Sequence, residues 1–217
     1  MVVNRAANFE EAEAWDLDFW QRQSPEQRLF ALVAIRRDVD KVMKGRLSKR
    51  EPARRGDLES VETIQDFEDL LLMFGKHRVR YLIIGGLAFI YHAKPRYTKD
   101  MDIWIDPGRD NVKRANAALT EFGSPHLLNP DAVEEILQLG VAPDRIDLLR
   151  AIKGARFATA WKNRIRGTYG RARANWIDLN SLLRIKSRID HPRHKEDARI
   201  LREVRRRLKA TRRRLTD

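Results

Sequence analysis

Every position from Tyr81 to Ile84 is apolar, a run that reads as a strand buried on both faces near the centre of a sheet. Helical periodicity surrounds it. Phe9, Ala12, Trp15 and Phe19 recur at helical spacing across residues 8–22. Ser24-Pro25-Glu26-Gln27 is a helix start, with a capping serine, proline at the first helical position and Gln three residues after the cap. The stripe that follows (Leu29, Phe30, Leu32, Val33, Ile35, Val39, Val42) is broad and predicts a helix to about Met43, packed with the first as a hairpin. Val61, Ile64, Phe67, Leu70, Leu71 and Phe74 predict a helix over 58–75, and Val112, Ala115, Ala118 and Leu119 one over 110–122, ended by Gly123. Residues 131–138 and 155–161 read as short helices. A strand is expected at 145–149, and a hairpin at 164–169 and 173–177, with Gly167 and Gly170 in or near its turn. Asn180 is placed to cap a helix running to about Asp190, and a last helix begins near His194. This order of elements predicts an α+β fold, a mixed β-sheet flanked by helices, with an N-terminal helical segment and C-terminal helices.

Three stretches follow from it: 1–56, helical and closing in the basic linker 44–56; 57–178, the sheet-bearing core; and 179–217, helices with a basic tail. The chain of 217 residues carries 44 basic and 31 acidic side chains, a net charge of +13 that favours polyanionic partners. With no cysteine, disulfides and thiolate metal sites are excluded. No apolar run approaches the ~18 residues of a membrane span, and the acidic N-terminus lacks a signal-peptide core. No membrane contact is expected, and a cytoplasmic location is.

Chemistry gathers just after the apolar strand. Residues two apart on a strand share a face, so Asp100 and Asp102 project together while Met101, Ile103 and Ile105 turn to the core. Paired carboxylates in a confined site call for a positive partner, and hard oxygen ligands favour Mg2+ or Mn2+. A solvated strand edge gives the same D-x-D spacing. Upstream, Gly85-Gly86 joins the strand to a helix-like run. Glycine permits close backbone approach, and free N–H groups at a helix start attract phosphate. Downstream, alternation turns Asp147 away from Ile146 and Leu148, and a lone acid in a short apolar strand needs a partner. Three converging carboxylates would make a metal site. The reading carries a geometric demand, that Asp147 lie beside Asp100 and Asp102 and next to Gly85-Gly86.

The pattern of apolar residue, Gly-Gly, thirteen residues and Asp-x-Asp resembles the nucleotidyltransferase superfamily related to DNA polymerase beta. With GVAPDRIDLL and KSRIDHPRHKEDARIL downstream, about residues 60–201 look like small bacterial members, of the AbiEii-like or minimal nucleotidyltransferase type, some of which are toxins of toxin–antitoxin systems. The resemblance implies transfer of NMP from an NTP to a hydroxyl, on a tRNA 3′ end, another RNA or a protein side chain, with Mg2+ or Mn2+ and with a cognate antitoxin as a candidate partner. It implies that Asp100 and Asp102 hold metal, that Asp147 holds metal and helps deprotonate the acceptor, and that Gly85 and Gly86 hold the nucleotide phosphates. Many members have Gly-Ser where this chain has Gly85-Gly86. Backbone amides would then do the serine's work, which implies weak or restricted activity, or a module that binds nucleotide or RNA without turnover.

Arg96, Thr98 and Lys99 precede the acid pair and are candidate phosphate ligands. Lys186, with Arg193 and Lys195, falls where the family places basic residues facing the cleft. Trp104 shares the face of the acids and is a candidate for stacking on a base, whereas His92 reads as a packed histidine. Trp15, Trp161 and Trp176 read as core anchors. Residues 202–214 hold eight basic side chains against one acid, a tail suited to nucleic-acid phosphate. The acidic head, 9–18, is expected to pack against basic surface of this chain or a neighbour.

Overall fold

The computed structural model describes residues 6, 8–43, 64–141 and 144–216. The linker 44–56 and the first turn expected for the 58–75 helix lie outside them. In chain order the elements are α1 (Phe9–Gln21), α2 (Pro25–Met43), α3 (Gln65–Lys76), β1 (Tyr81–Ile83), α4 (Gly85–His92), β2 (Asp100–Ile105) and α5 (Arg109–Phe122). There follow β3 (Leu137–Leu139), β4 (Arg145–Leu149), α6 (Phe157–Lys162), β5 (Ile165–Tyr169), β6 (Ala172–Trp176), α7 (Leu179–Lys186) and α8 (Pro192–Thr216). The fold is α+β, as its periodicities predict.

The six strands form one mixed sheet in the order β3-β4-β2-β1-β6-β5. β2 runs parallel to β4 and β1 parallel to β6, while the remaining pairs are antiparallel. β1 lies inside this sheet and all three of its residues are buried, which is what an uninterrupted apolar strand requires. Met101, Ile103 and Ile105 are wholly buried, so the alternation along β2 does fix which face its aspartates take.

The N-terminal helices close over the end of α4. Ser24 and Gln27 form the reciprocal capping box at the start of α2, each side chain taking the other's backbone N–H. Gln21 donates to the carbonyls of His92 and Ala93, and Arg28 to those of Tyr91 and Trp20. These bonds satisfy carbonyls that the last turn of a helix otherwise leaves unpaired. The acidic face of α1 meets the basic α8, where Glu13 pairs with Arg199 (2.6 Å) and Asp18 with Arg207 (3.5 Å), while Asp16 pairs with Lys94 just after α4 (2.8 Å).

Local expectations fail at three places. Residues 131–136 form turns and 137–139 an edge strand, not a helix. Val133 and Ile136, apolar and at helical spacing within this segment, are exposed, so their spacing marks no buried face. Asp178, not Asn180, caps α7, because its Oδ1 accepts the N–H groups of Asn180 and Ser181. Gly170 makes the hairpin turn, while Gly167 lies within β5 against the Trp176 indole. Trp176 is a core anchor at 0% exposure, Trp161 is partly buried, and Trp15 is exposed at the surface of α1.

Candidate active site

β2 and β4 carry the acids. Their parallel register pairs Asp100 with Arg145 and Asp102 with Asp147, and strand neighbours lie about 4.8 Å apart. Asp102 and Asp147 therefore face each other, with Asp100 one pleat away on the same face. Asp147 is buried at 8% exposure. Its Oδ2 accepts from Arg145 at 2.8 Å and its Oδ1 from the Gln138 amide, across the β3–β4 pairing, at 3.1 Å. The same Arg145 nitrogen reaches Asp100 Oδ2 at 3.2 Å, so one guanidinium serves two of the three carboxylates. Burial first, and then the charges of Asp100 and Asp147, push the Asp102 carboxyl up to about 6, against the pull of Lys186 and of the Gly86 N–H that it accepts.

The glycines pack directly on these acids. Helix α4 begins at Gly85; its N-cap residue Ile84 gives no side-chain hydrogen bond, and the Asp102 carboxylate accepts the Gly86 N–H instead. Gly85 has φ +63°, and a Cβ there would lie 1.7 Å from Asp102 Oδ2. A Cβ on Gly86 would lie 2.4 Å from Thr98 Oγ1. Thr98 is buried and donates its hydroxyl to Asp100 Oδ1 at 3.0 Å. The space that a serine side chain at position 86 would need is thus taken by the hydroxyl of Thr98.

The other expected ligands divide. Arg96 makes a two-pronged ion pair with Asp197 of α8 (3.1 and 2.8 Å), and Lys186 reaches the same carboxylate at 2.9 Å. Both are therefore engaged within the protein. Burial lowers the Lys186 ammonium below its ordinary range, Asp197 pulls it back, and Asp102 is near enough to contribute. Lys99 is exposed, with its carbonyl held by Arg36 at 3.4 Å. Arg193 bonds the Tyr97 carbonyl, and Lys195 pairs with Asp190 at 2.6 Å. Trp104 is not available to a base: it is 1% exposed, its indole N–H donates to the Arg150 carbonyl at 3.1 Å, and Phe157 packs edge-on against it. His92 is buried and bonds the Ile177 carbonyl through Nε2, a packed histidine as expected.

Among the described residues, no group of three His, Cys, Asp or Glu side chains is arranged to hold a metal. Arg145 stands between two of the three acids instead. The donor set nonetheless suits a hard divalent cation: it is all carboxylate oxygen, on one sheet face, and already shares a positive charge. Gln138, Arg145 and Asp197 are site residues that the motif alone does not bring forward. Arg145 was within reach of the pattern, since it lies two residues before Asp147 on the same strand face. Gln138 and Asp197 come from distant segments and leave no local signal. No family model and no curated protein matches the chain.

Proposed function

We propose that the chain is a nucleotidyltransferase, moving NMP from a nucleoside triphosphate to a hydroxyl acceptor. The observation that carries the reading is the pairing of Asp102 with Asp147 across parallel strands, with the N-terminal amides of α4 against Asp102. In this reading the Gly85 amide binds phosphate oxygens, the Gly86 amide and the Thr98 hydroxyl hold Asp102 and Asp100 in place, and Lys186, tied to Asp197, offsets triphosphate charge. Asp147 takes the proton of the acceptor hydroxyl as its oxygen bonds to the α-phosphorus. The α–β bridging bond breaks, and pyrophosphate leaves with its electron pair. Asp100, Asp102 and Asp147 would hold Mg2+ or Mn2+, which supplies charge stabilisation for the phosphoryl group. The acceptor is an RNA such as the tRNA 3′ end, or a side-chain hydroxyl of a partner protein. Either acceptor is compatible with the toxin of a toxin–antitoxin pair.

A second reading, a nucleotide- or RNA-binding module without turnover, is favoured by the Arg145 guanidinium between Asp100 and Asp147 and by the absence of a hydroxyl on residue 86. Incubation with labelled NTPs, Mn2+ and cell lysate separates the two. Label transferred by the wild type and lost in a folded Asp102→Ala variant supports the transferase, and RNase or protease treatment then identifies the acceptor. Binding of NTP without transfer, in any of the four nucleotides, supports the module.

A further inference from the structure

Away from the carboxylates, a pocket of about 750 Å³ opens between α6, α7 and α8. Arg184, Arg202 and Arg205 line it, with the neutral polar side chains of Asn163, Asn180 and Ser181. Arg184 and Lys186 lie on opposite sides of α7, so the pocket is separated from the acids by the helix itself.

Helix α8 spends its charges differently on its two sides. Toward α1, Arg199 pairs with Glu13 and Glu196, and Arg206 and Arg207 both pair with Glu203. Arg202, which borders both this pocket and the groove against α1, forms no ion pair among the described residues and reaches the Ser187 hydroxyl at 3.3 Å. Among the described residues, Arg184, Arg202 and Arg205 have no carboxylate within ion-pair distance. Asp178 also lines the pocket, but its Oδ1 is taken by the start of α7, and its Oδ2 is buried with no donor. Lys209 extends the row, since positions 202, 205 and 209 share a helix face and span about 10 Å. Leu183 is the one apolar side chain lining the pocket, which suits neither a lipid surface nor a hydrophobic ligand.

We infer that this groove is a docking site for a single nucleic-acid strand, distinct from the carboxylate site. Unpaired guanidiniums in a row bind successive phosphates, and release of the strand's counterions makes such binding salt-dependent. The side-chain amides of Asn163 and Asn180, which line the same groove, offer donors and acceptors to base edges. An acidic peptide would offer carboxylates to the arginines but no base edges to these amides, and poly-glutamate is the competitor that tests it. The site does not depend on the transferase reading, because it shares no side chain with the acids.

The test is fluorescence anisotropy of the full-length protein with a labelled single-stranded RNA of about a dozen nucleotides, across a range of KCl concentrations. The double variant Arg202→Glu/Arg205→Glu should weaken binding at least tenfold. The control Lys113→Glu/Arg173→Glu, equal in charge change but remote, should weaken it less than about twofold. The neutral Arg202→Gln/Arg205→Gln variant should flatten the log–log salt slope by about 1.4, two cations at about 0.7 each. Matched thermal midpoints establish that all three are folded. The inference is overturned if the wild type does not bind the strand, if both charge-reversed doubles lose affinity equally, or if poly-glutamate of equal charge binds as tightly through Arg202 and Arg205. Loss of nucleotide transfer in any variant plays no part in the result, so failure here leaves the transferase proposal to its own assay.

Discussion

Asp102 and Asp147 stand opposite each other in register on parallel strands, and one arginine, Arg145, holds Asp147 and Asp100 together beside them. Three carboxylates against one guanidinium is an electrostatic deficit, and it adds to the burial that raises the Asp102 carboxyl. Removing the arginine should therefore destabilise the protein and leave a better site for a divalent cation. Arg145→Ala is expected to lower the thermal midpoint by a few degrees in EDTA, to recover it with Mn2+, and to bind Mn2+ more tightly than the wild type. Calorimetry with and without Mn2+ reads all three. Equal Mn2+ affinity in variant and wild type would show that the guanidinium does not compete for the acids.

Position 86 offers a second test, because its missing side chain has a steric cause. Gly86→Ser would drive its Cβ into the Thr98 hydroxyl, and overpacking of this kind costs about 1–3 kcal/mol. Pairing it with Thr98→Gly, which removes both the hydroxyl and the Cβ that the new side chain would meet, should recover part of that loss in urea denaturation. Gly85→Ala should not be rescued in this way. It adds a left-handed backbone conformation to a collision with the Asp102 carboxylate.

Much of this site was legible from spacing. The apolar run at 81–84 and the alternation over 100–105 fix which side chains face the core, and that places Asp100 and Asp102 on one face. Asp147 follows from the same alternation in another strand. What spacing cannot carry is partnership across the fold. Arg96 and Lys186 read as free cations in the sequence, yet both close on Asp197, about a hundred residues from Arg96 and on a different helix from Lys186. Trp104 shares the face of the acids by period, but the indole is covered by Phe157, which the strand pattern does not reveal. The 131–138 segment misleads for the opposite reason: two apolar residues at helical spacing remain in solvent.

Two histidines give the stability a pH dependence of known sign. Burial, reinforced by Lys186, holds His194 down to about 4; Asp197 opposes that shift, and His191 and Arg96 add to it. Burial likewise lowers His92, which bonds the Ile177 carbonyl. Both are neutral in the folded state where the unfolded chain binds a proton. Their stabilisation is present above the ordinary histidine pKa and is lost as pH falls toward the folded value. The histidine contribution to the unfolding free energy should fall between about pH 6.5 and 4. The raised Asp102 carboxyl pulls the other way as it takes up its proton. His194→Gln should make the fall toward about pH 4 smaller while leaving stability above about pH 7 little changed. Urea titrations at a series of pH values measure it. An unchanged slope in the variant would mean that His194 titrates normally.

The last prediction concerns the charge triad behind the site. Asp197 is 2% exposed and neutralises both Lys186, at 4%, and the partly buried Arg96. Removing one member of a buried ion network leaves its partners charged without solvent or counter-charge, which costs about 3–5 kcal/mol. Asp197→Ala should therefore be among the most destabilising single changes outside the apolar core. Adding Lys186→Met removes one of the two stranded charges, so the double variant should be more stable than Asp197→Ala alone. The same pair separates structure from binding at Lys186. A folded Lys186→Met variant that keeps its stability but binds NTP more weakly places the ammonium on the triphosphate. One that loses stability alone leaves Lys186 as the tie between α7 and α8.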